Sequence, residues 1–506
     1  MMEELSLTLI NLLISIWLLP GLICSALLIK RDLYAVLFIP ILGTGFWTLL
    51  FSYTNLQNIS TLNDYALGVY FFNALALLII YLRKRNLAFG YFGVILVVNI
   101  FEALNYQYGL INPTGSSIGI LNSLLNMEYS FLYEWGAPQI YIVGLSFFFT
   151  DPPLALLSIN FITGIASFLI AGINLYEVFH VDKRIIFLSL ILPVFNFEVI
   201  SWMLRVRPHF LTSGQTLLFL SACYLYKDSK NWDSKIMIFS SLFLILNGRT
   251  ESVMIFALVI LIIFSLDIKE LFLSKYVIIF FVVTYLSTIE SVAKYEGIRG
   301  PYFGLFVYIL FYLILLLGDR TEKISNLIKY RFNIIFSFSI SLIAILCLYL
   351  YEGLALQSYR VMFIKLADPG TGYGALFVFY LALLLLTKFD NSLDINNVVF
   401  CIYLIILLIF VSGPLQHSVW GWATSNIDYI GIDATIYNPF DESQSRSIMQ
   451  FYLLITPLIT CSIFNKQSKE ELTIKVTKTK GTKCPRCWKI LERKCVRCEK
   501  AITKNV

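Results

Sequence analysis

From Leu154 to Tyr176 the chain runs twenty-three positions without a charged residue. A bilayer core is crossed by about 20 apolar residues in a helix. Similar runs recur along most of the 506 residues, which are 58% hydrophobic, 16% aromatic and 14% charged. A soluble globular domain carries roughly a quarter charged residues. This clustering excludes soluble globular, disordered, collagen-like and disulfide-scaffold readings. A transmembrane barrel alternates apolar and polar positions, which these continuous runs do not. The chain reads as an all-α polytopic membrane protein with about thirteen to fifteen transmembrane helices.

The net charge of +6 is unevenly placed. From Lys466 to Val506 there are thirteen Lys+Arg against four Asp+Glu, a surplus of +9, so the other 465 residues carry −3. Basic clusters fall at Lys30/Arg31, Arg83/Lys84/Arg85, Lys183/Arg184, Lys227/Lys230/Lys235, Lys269/Lys275 and Arg320 to Arg331. Cytoplasmic loops are enriched in Lys and Arg. Placing every cluster inside gives one consistent alternation across a cell membrane, with the acidic N-terminus (Glu3, Glu4) outside and the tail cytoplasmic. The same two acids, in place of a basic leader, mark the first apolar run as a span and not a cleaved signal.

The expected spans cover 6–28, 33–53, 65–82, 86–104, 154–176, 185–201, 209–226, 236–248, 251–266, 276–290, 303–318, 332–351, 372–387, 397–413 and 449–465. Residues 138–150 are apolar but short, as in a re-entrant or interfacial helix. The long connections are outside loops at 105–137 and 414–448. Residues 1–85 read as accessory helices, 86–465 as a core, 466–482 as a linker and 483–501 as a small terminal module. Asn58–Ile59–Ser60 is a sequon on an expected outside loop. Five cysteines (Cys24, Cys223, Cys347, Cys401, Cys461) stand singly in apolar runs, as small buried hydrophobes do.

The other four make a pattern. Cys484–Pro–Arg–Cys487 and Cys495–Val–Arg–Cys498 are two C-x-x-C knuckles seven residues apart. Two such knuckles supply the four thiolates of a closed tetrahedral Zn²⁺ site. Four protein ligands leave no position for a catalytic water, so the expected Zn²⁺ is structural. The segment KCPRCWKILERKCVRCEKA resembles the zinc ribbons that end some aminoacyl-tRNA synthetases and DNA glycosylases. Its basic residues suit a solvated cytoplasmic surface, or a cytoplasmic protein or nucleic-acid partner.

Ionisable residues are sparse in the middle of the spans and gather at expected outside ends and loops. A proton-coupled transporter places such groups near the midplane. The outer-interface pattern is carried by Glu102, the loop through Glu134–Trp135, Asp151–Pro152–Pro153–Leu154, Arg205–Val206–Arg207–Pro208, Asn247–Gly248–Arg249–Thr250–Glu251 and the run DESQSRSIMQFYLLITPLI with Arg446. In this order the pieces resemble the core of the GT-C class of membrane glycosyltransferases, which use polyprenyl-phosphate sugars. The resemblance covers about 350 residues. The usual first-loop Asp of the class is missing, which leaves Glu102, Glu128 or Glu134 as the catalytic base. It implies Arg205, Arg207, Arg249, Glu251 and Arg446 as substrate- and phosphate-binding residues. It also leaves room for a divalent cation at the outer site.

Glycosyl transfer passes through an oxocarbenium-like state. A carboxylate takes the acceptor hydroxyl's proton, and arginines stabilise the departing lipid phosphate. The expected function is therefore sugar transfer from a polyprenyl-phosphate donor in the membrane lipid to a glycan or protein acceptor on the outer face. The alternatives are a transporter or flippase, and a non-catalytic scaffold whose zinc ribbon binds a partner. His209 and His417 read as structural.

Overall fold

The structure is a computed structural model that describes residues 17–53, 66–108, 152–196, 199–200, 203–204, 209–248, 263, 266, 268–274, 453–464, 482–483 and 490–491. It divides into two compact units, Met1–Asn465 and Lys466–Val506.

The described part of the first unit is helical. The helices are α1 (Trp17–Leu28), α2 (Asp32–Tyr53), α3 (Ala66–Arg83), α4 (Arg85–Tyr108), α5 (Pro152–Phe179), α6 (Lys183–Ile191), α7 (His209–Ser229), α8 (Trp232–Gly248), the single turn α9 (Lys269–Phe272) and α10 (Leu453–Phe464). Among the described residues, two helical stretches, Arg85–Leu104 and Leu157–Phe179, are long and apolar enough to cross a membrane. The expected spans at 33–53, 65–82, 154–176 and 209–226 appear as helices with ends shifted by a few residues. Helix α4 runs through Tyr108, past the expected loop start at 105. The segment 138–150 and the spans expected between 276 and 413 lie outside the described residues.

The stretch expected as a continuous span over 185–201 is broken. Helix α6 is only nine residues long and passes into a 3₁₀ turn at Leu192–Phe195. Pro193 supplies no N–H to the carbonyl of Ser189 and its ring crowds that turn. Asn196 then restarts the helix. Its side chain accepts from Val199 N at 3.3 Å, and its carbonyl accepts from Ile200 N at 3.1 Å.

Helix α7 is central, with every residue from His209 to Leu225 buried. It packs on α5 and α8, while α2 packs on α4, α5 and α8. Close approach is made by glycines. A Cβ on Gly214 would come within 2.8 Å of the Gly164 carbonyl, and one on Gly21 would overlap the Ile39 carbonyl. Small residues let helix backbones approach in this way inside membranes.

Neutral hydrogen bonds cross the same contacts. Thr44 Oγ1 donates to Pro40 O at 2.8 Å, which leaves its lone pairs for Trp17 Nε1 at 3.1 Å and Thr163 Oγ1 at 3.0 Å. Gln215 Nε2 donates to Ser167 Oγ at 2.7 Å, and Asn174 Nδ2 donates to Ser221 Oγ at 3.2 Å.

In the second unit two short strands are described, β1 (Thr482–Lys483) and β2 (Ile490–Leu491). They pair antiparallel, with Thr482 opposite Leu491 and Lys483 opposite Ile490.

Candidate functional site

The helix ends sort into two levels. At one end the loops expected inside are tied together. Arg31 Nη1 donates to both carboxylate oxygens of Glu177 at 2.8 Å. That hydrogen-bonded carboxylate raises the Arg31 pKa further above its usual value, so the guanidinium stays charged. Asp233 accepts from Lys30 N at 2.9 Å and Arg31 N at 3.3 Å. Lys84 Nζ donates to Ala26 O at 2.8 Å and Ile29 O at 3.1 Å, and Trp232 Nε1 donates to Leu28 O at 2.9 Å. These donors satisfy carbonyls that a helix end leaves unpaired. Four of the basic clusters identified in the sequence therefore share one end of the bundle.

The helices carry the chain away from that end. Glu102 lies seventeen residues beyond Arg85 on α4, a rise of about 25 Å. Phe161 lies sixteen residues before Glu177 on α5, and Phe210 nineteen before Ser229, the last residue of α7. Their rings show that these levels coincide. Phe101 stacks on Phe161 with centroids 4.3 Å apart, and Phe161 stacks on Phe210 at 5.7 Å. Phe168 adds a fourth ring, 5.2 Å from Phe210.

Close in sequence to these rings stand several buried polar side chains. Glu102 is 2% exposed and continues the buried stripe of α4 formed by Leu87, Tyr91 and Val98. Ser158 and Asn160 of α5, and His209 and Thr212 of α7, are also buried. Among the described residues the hydroxyls of Ser158 and Thr212 have no hydrogen-bond partner. Buried hydroxyls normally have one.

The opposite face of α4 is inverted relative to a water-soluble helix. Phe89, Phe92, Leu96, Val97 and Ile100 are each more than half exposed, while the helix's one acid points inward. A helix that is apolar all round belongs in a core or in lipid.

Of the site residues expected from the sequence, Glu102 is the one the structure describes. Glu128, Glu134, Arg205, Arg207, Arg249, Glu251 and Arg446 lie outside the described residues, as do Cys484, Cys487, Cys495 and Cys498. His209, expected as structural, is fully buried at the level of Glu102. Sequence reasoning passed over Ser158, Asn160 and Thr212. Their signal was polar residues within apolar runs, but it does not separate a site from interhelical packing. Among the described residues no group of three or more His, Cys, Asp or Glu is placed to hold a metal ion.

No protein-family model, curated protein or solved structure matches this chain.

Proposed function

We propose that this chain is a polytopic membrane glycosyltransferase of the GT-C kind, which moves a sugar from a polyprenyl-phosphate donor to an acceptor on the outer face. The observation that carries the reading is Glu102. It is a buried carboxylate on a helix whose other face is apolar and exposed, at the end of the bundle opposite the basic loops. With the basic end cytoplasmic, Glu102 stands near the outer interface. There a lipid carrier keeps its tail in the bilayer and presents its sugar outside.

In this reading Glu102 accepts the acceptor hydroxyl's proton, a contribution of about 10²–10⁴-fold. Glu128 and Glu134 are the other candidates for that base. Ser158 and Thr212 offer hydroxyls to the sugar or phosphate. Arg205, Arg207, Arg249 and Arg446 are the candidates to balance the phosphate that leaves with the lipid, as charge-assisted donors do.

The tail is proposed as a structural zinc ribbon. The β1–β2 register pairs Lys483 with Ile490, the residues that flank the first knuckle in sequence. Four thiolates suit Zn²⁺ in a closed site. Bound there, the ion supplies folding free energy to a module too small to build a core.

A second reading, a transporter or flippase, is favoured by the break at Pro193–Asn196. Interrupted helices at membrane depth line substrate paths in transporters.

A transfer assay separates the two. Purified protein receives radiolabelled polyprenyl-phosphate sugars and a membrane extract as acceptor source. Transfer of label that is lost in Glu102→Gln supports the enzyme with Glu102 as base. Transfer lost only in Glu128→Gln or Glu134→Gln keeps the enzyme and moves the base. Absence of transfer from every donor, in folded protein, removes the enzyme reading.

A further inference from the structure

The joint between α3 and α4 is a single residue. Lys84 N donates to Ile80 O at 2.6 Å, closing α3, and Lys84 O accepts from Leu87 N at 3.0 Å, opening α4. The Lys84 ammonium is drawn inward to the carbonyls that end α1. Its neighbours Arg83 and Arg85 are left exposed on either side. The Arg85 guanidinium lies 5.8 Å from the Tyr81 ring centroid and 5.5 Å from that of Phe89. Two rings in edge contact at 6.0 Å thus pin the group by cation–π attraction. Lys30 is exposed on the adjoining loop, which touches this joint through Ile29 and through Asp32.

Each carboxylate nearby has a hydrogen-bond partner. Asp32 accepts from Asn86 Nδ2 at 3.0 Å, Asp233 holds the backbone N–H groups of Lys30 and Arg31, and Glu177 holds the Arg31 side chain. The Arg31–Glu177 ion pair uses none of Lys30, Arg83 or Arg85. Directly beside these three cations the surface turns apolar. Leu82 is 75% exposed, and Phe89 is more than half exposed. Cations bordering an apolar band match a lipid, whose headgroup charge adjoins its acyl chains.

We infer that Arg83, Arg85 and Lys30 form a binding site for the phosphodiester headgroup of an anionic phospholipid, with the acyl chains lying along Leu82 and Phe89. This rests on the membrane reading of the helices and is independent of the transferase reading. A guanidinium fork grips a phosphate bidentately, which a lysine ammonium cannot do. Basic residues at this level attract acidic lipids of the cytoplasmic leaflet.

The test uses the full chain purified in neutral detergent. Phosphatidylglycerol or phosphatidylcholine is added at equal mole fraction. Thermal unfolding is followed by intrinsic fluorescence, and retained lipid is counted by native mass spectrometry. Phosphatidylglycerol is expected to raise the wild-type midpoint by about 3 °C and to remain bound, whereas phosphatidylcholine does neither. Arg83→Gln/Arg85→Gln loses most of that response. Lys183→Gln/Arg184→Gln, which removes equal charge from another loop at the same end, keeps it. A full response in the first variant, or an equal loss in the second, overturns the site. If the glutamine variant does not fold, Arg83→Lys/Arg85→Lys decides: a weakened response supports the arginine forks and an unchanged one overturns them. A chain that stays monodisperse without detergent sinks the membrane reading and this site together. A detergent-requiring chain that ignores phosphatidylglycerol sinks the lipid site alone.

Discussion

Asp233 accepts the backbone N–H groups of Lys30 and Arg31 on its two carboxylate oxygens, at 2.9 Å and 3.3 Å, across two hundred residues of sequence. The carboxylate stands in the first turn of α8 and is buried. It therefore locks the α1–α2 turn onto the α7–α8 turn. Asp233→Ala leaves both N–H groups without their acceptor, and hydrogen bonds to a charged group are worth about 1.5–3 kcal/mol. We expect a loss of about 2 kcal/mol in reversible unfolding from mixed micelles. Asp233→Asn keeps one acceptor oxygen and should lose about half as much.

Thr44 is the hub of the hydrogen bonds inside the bundle. Its hydroxyl uses one proton and two lone pairs on three partners, whereas the Thr163 hydroxyl bonds to Thr44 alone. Interhelical hydrogen bonds in membrane proteins average about 0.6 kcal/mol each. Thr44→Val preserves shape and should cost about 1–2 kcal/mol. Thr163→Val should cost less. In a double-mutant cycle the two should not add, because they share one bond. Additive losses would show that Thr44 and Thr163 do not bond.

The glycines divide into two classes with opposite expected outcomes. Alanine at Gly21 meets the Ile39 carbonyl, and alanine at Gly43 meets the Trp17 carbonyl, so backbone must move in both cases. Either substitution should destabilise by about 2–3 kcal/mol, the usual cost of overpacking. At Gly45 and Gly93 a Cβ meets nothing within 4 Å. There alanine should stabilise by about 0.5–1 kcal/mol through helix propensity alone. Thermal midpoints of the four single variants check both signs in one experiment.

His180 and Lys230 follow the ends of α5 and α7 with φ of 52° and 48°. Each is the left-handed residue that closes a helix, and its N–H returns to Tyr176 O at 3.0 Å or Tyr226 O at 2.8 Å. A side chain in that conformation costs about 1 kcal/mol that glycine does not incur. Lys230→Gly should therefore stabilise the chain by up to about 1 kcal/mol, although it removes an exposed charge. Lys230→Val should destabilise it, since β-branching aggravates the clash.

The helices were legible where an apolar run is bounded by basic residues. One end of each of α2 through α5 and of α7 falls within a few residues of Arg31, Arg83 to Arg85, Lys183 or Lys227, because charge ends an apolar run. The break after α6 was missed, because the apolar residues on both sides of Pro193 read as one span. The candidate site was legible only as Glu102. An acid at a span end reads equally well as a headgroup contact, and burial depends on which face α2 and α5 cover. Nor does spacing reveal that Phe101, Phe161 and Phe210 stack, since they stand on three helices far apart in sequence.

If the tail holds a zinc ion as proposed, removing it should affect the second unit and leave the first. The second unit, Lys466–Val506, is compact by itself, and its described structure is two ladder pairs, Thr482–Leu491 and Lys483–Ile490. A hairpin that short is unstable in water without further support. If four thiolates supply that support through Zn²⁺, the full chain should contain one zinc per molecule by elemental analysis. Metal ligation requires deprotonated thiols, so acidification or a strong chelator should release it. Cys484→Ser and Cys495→Ser should each lower zinc content well below one. On release, the slow amide exchange of residues 482–491 should vanish while the helical circular dichroism of the first unit stays unchanged. Zinc-free protein that retains protected amides at Lys483 and Ile490 would show that the hairpin stands without the metal.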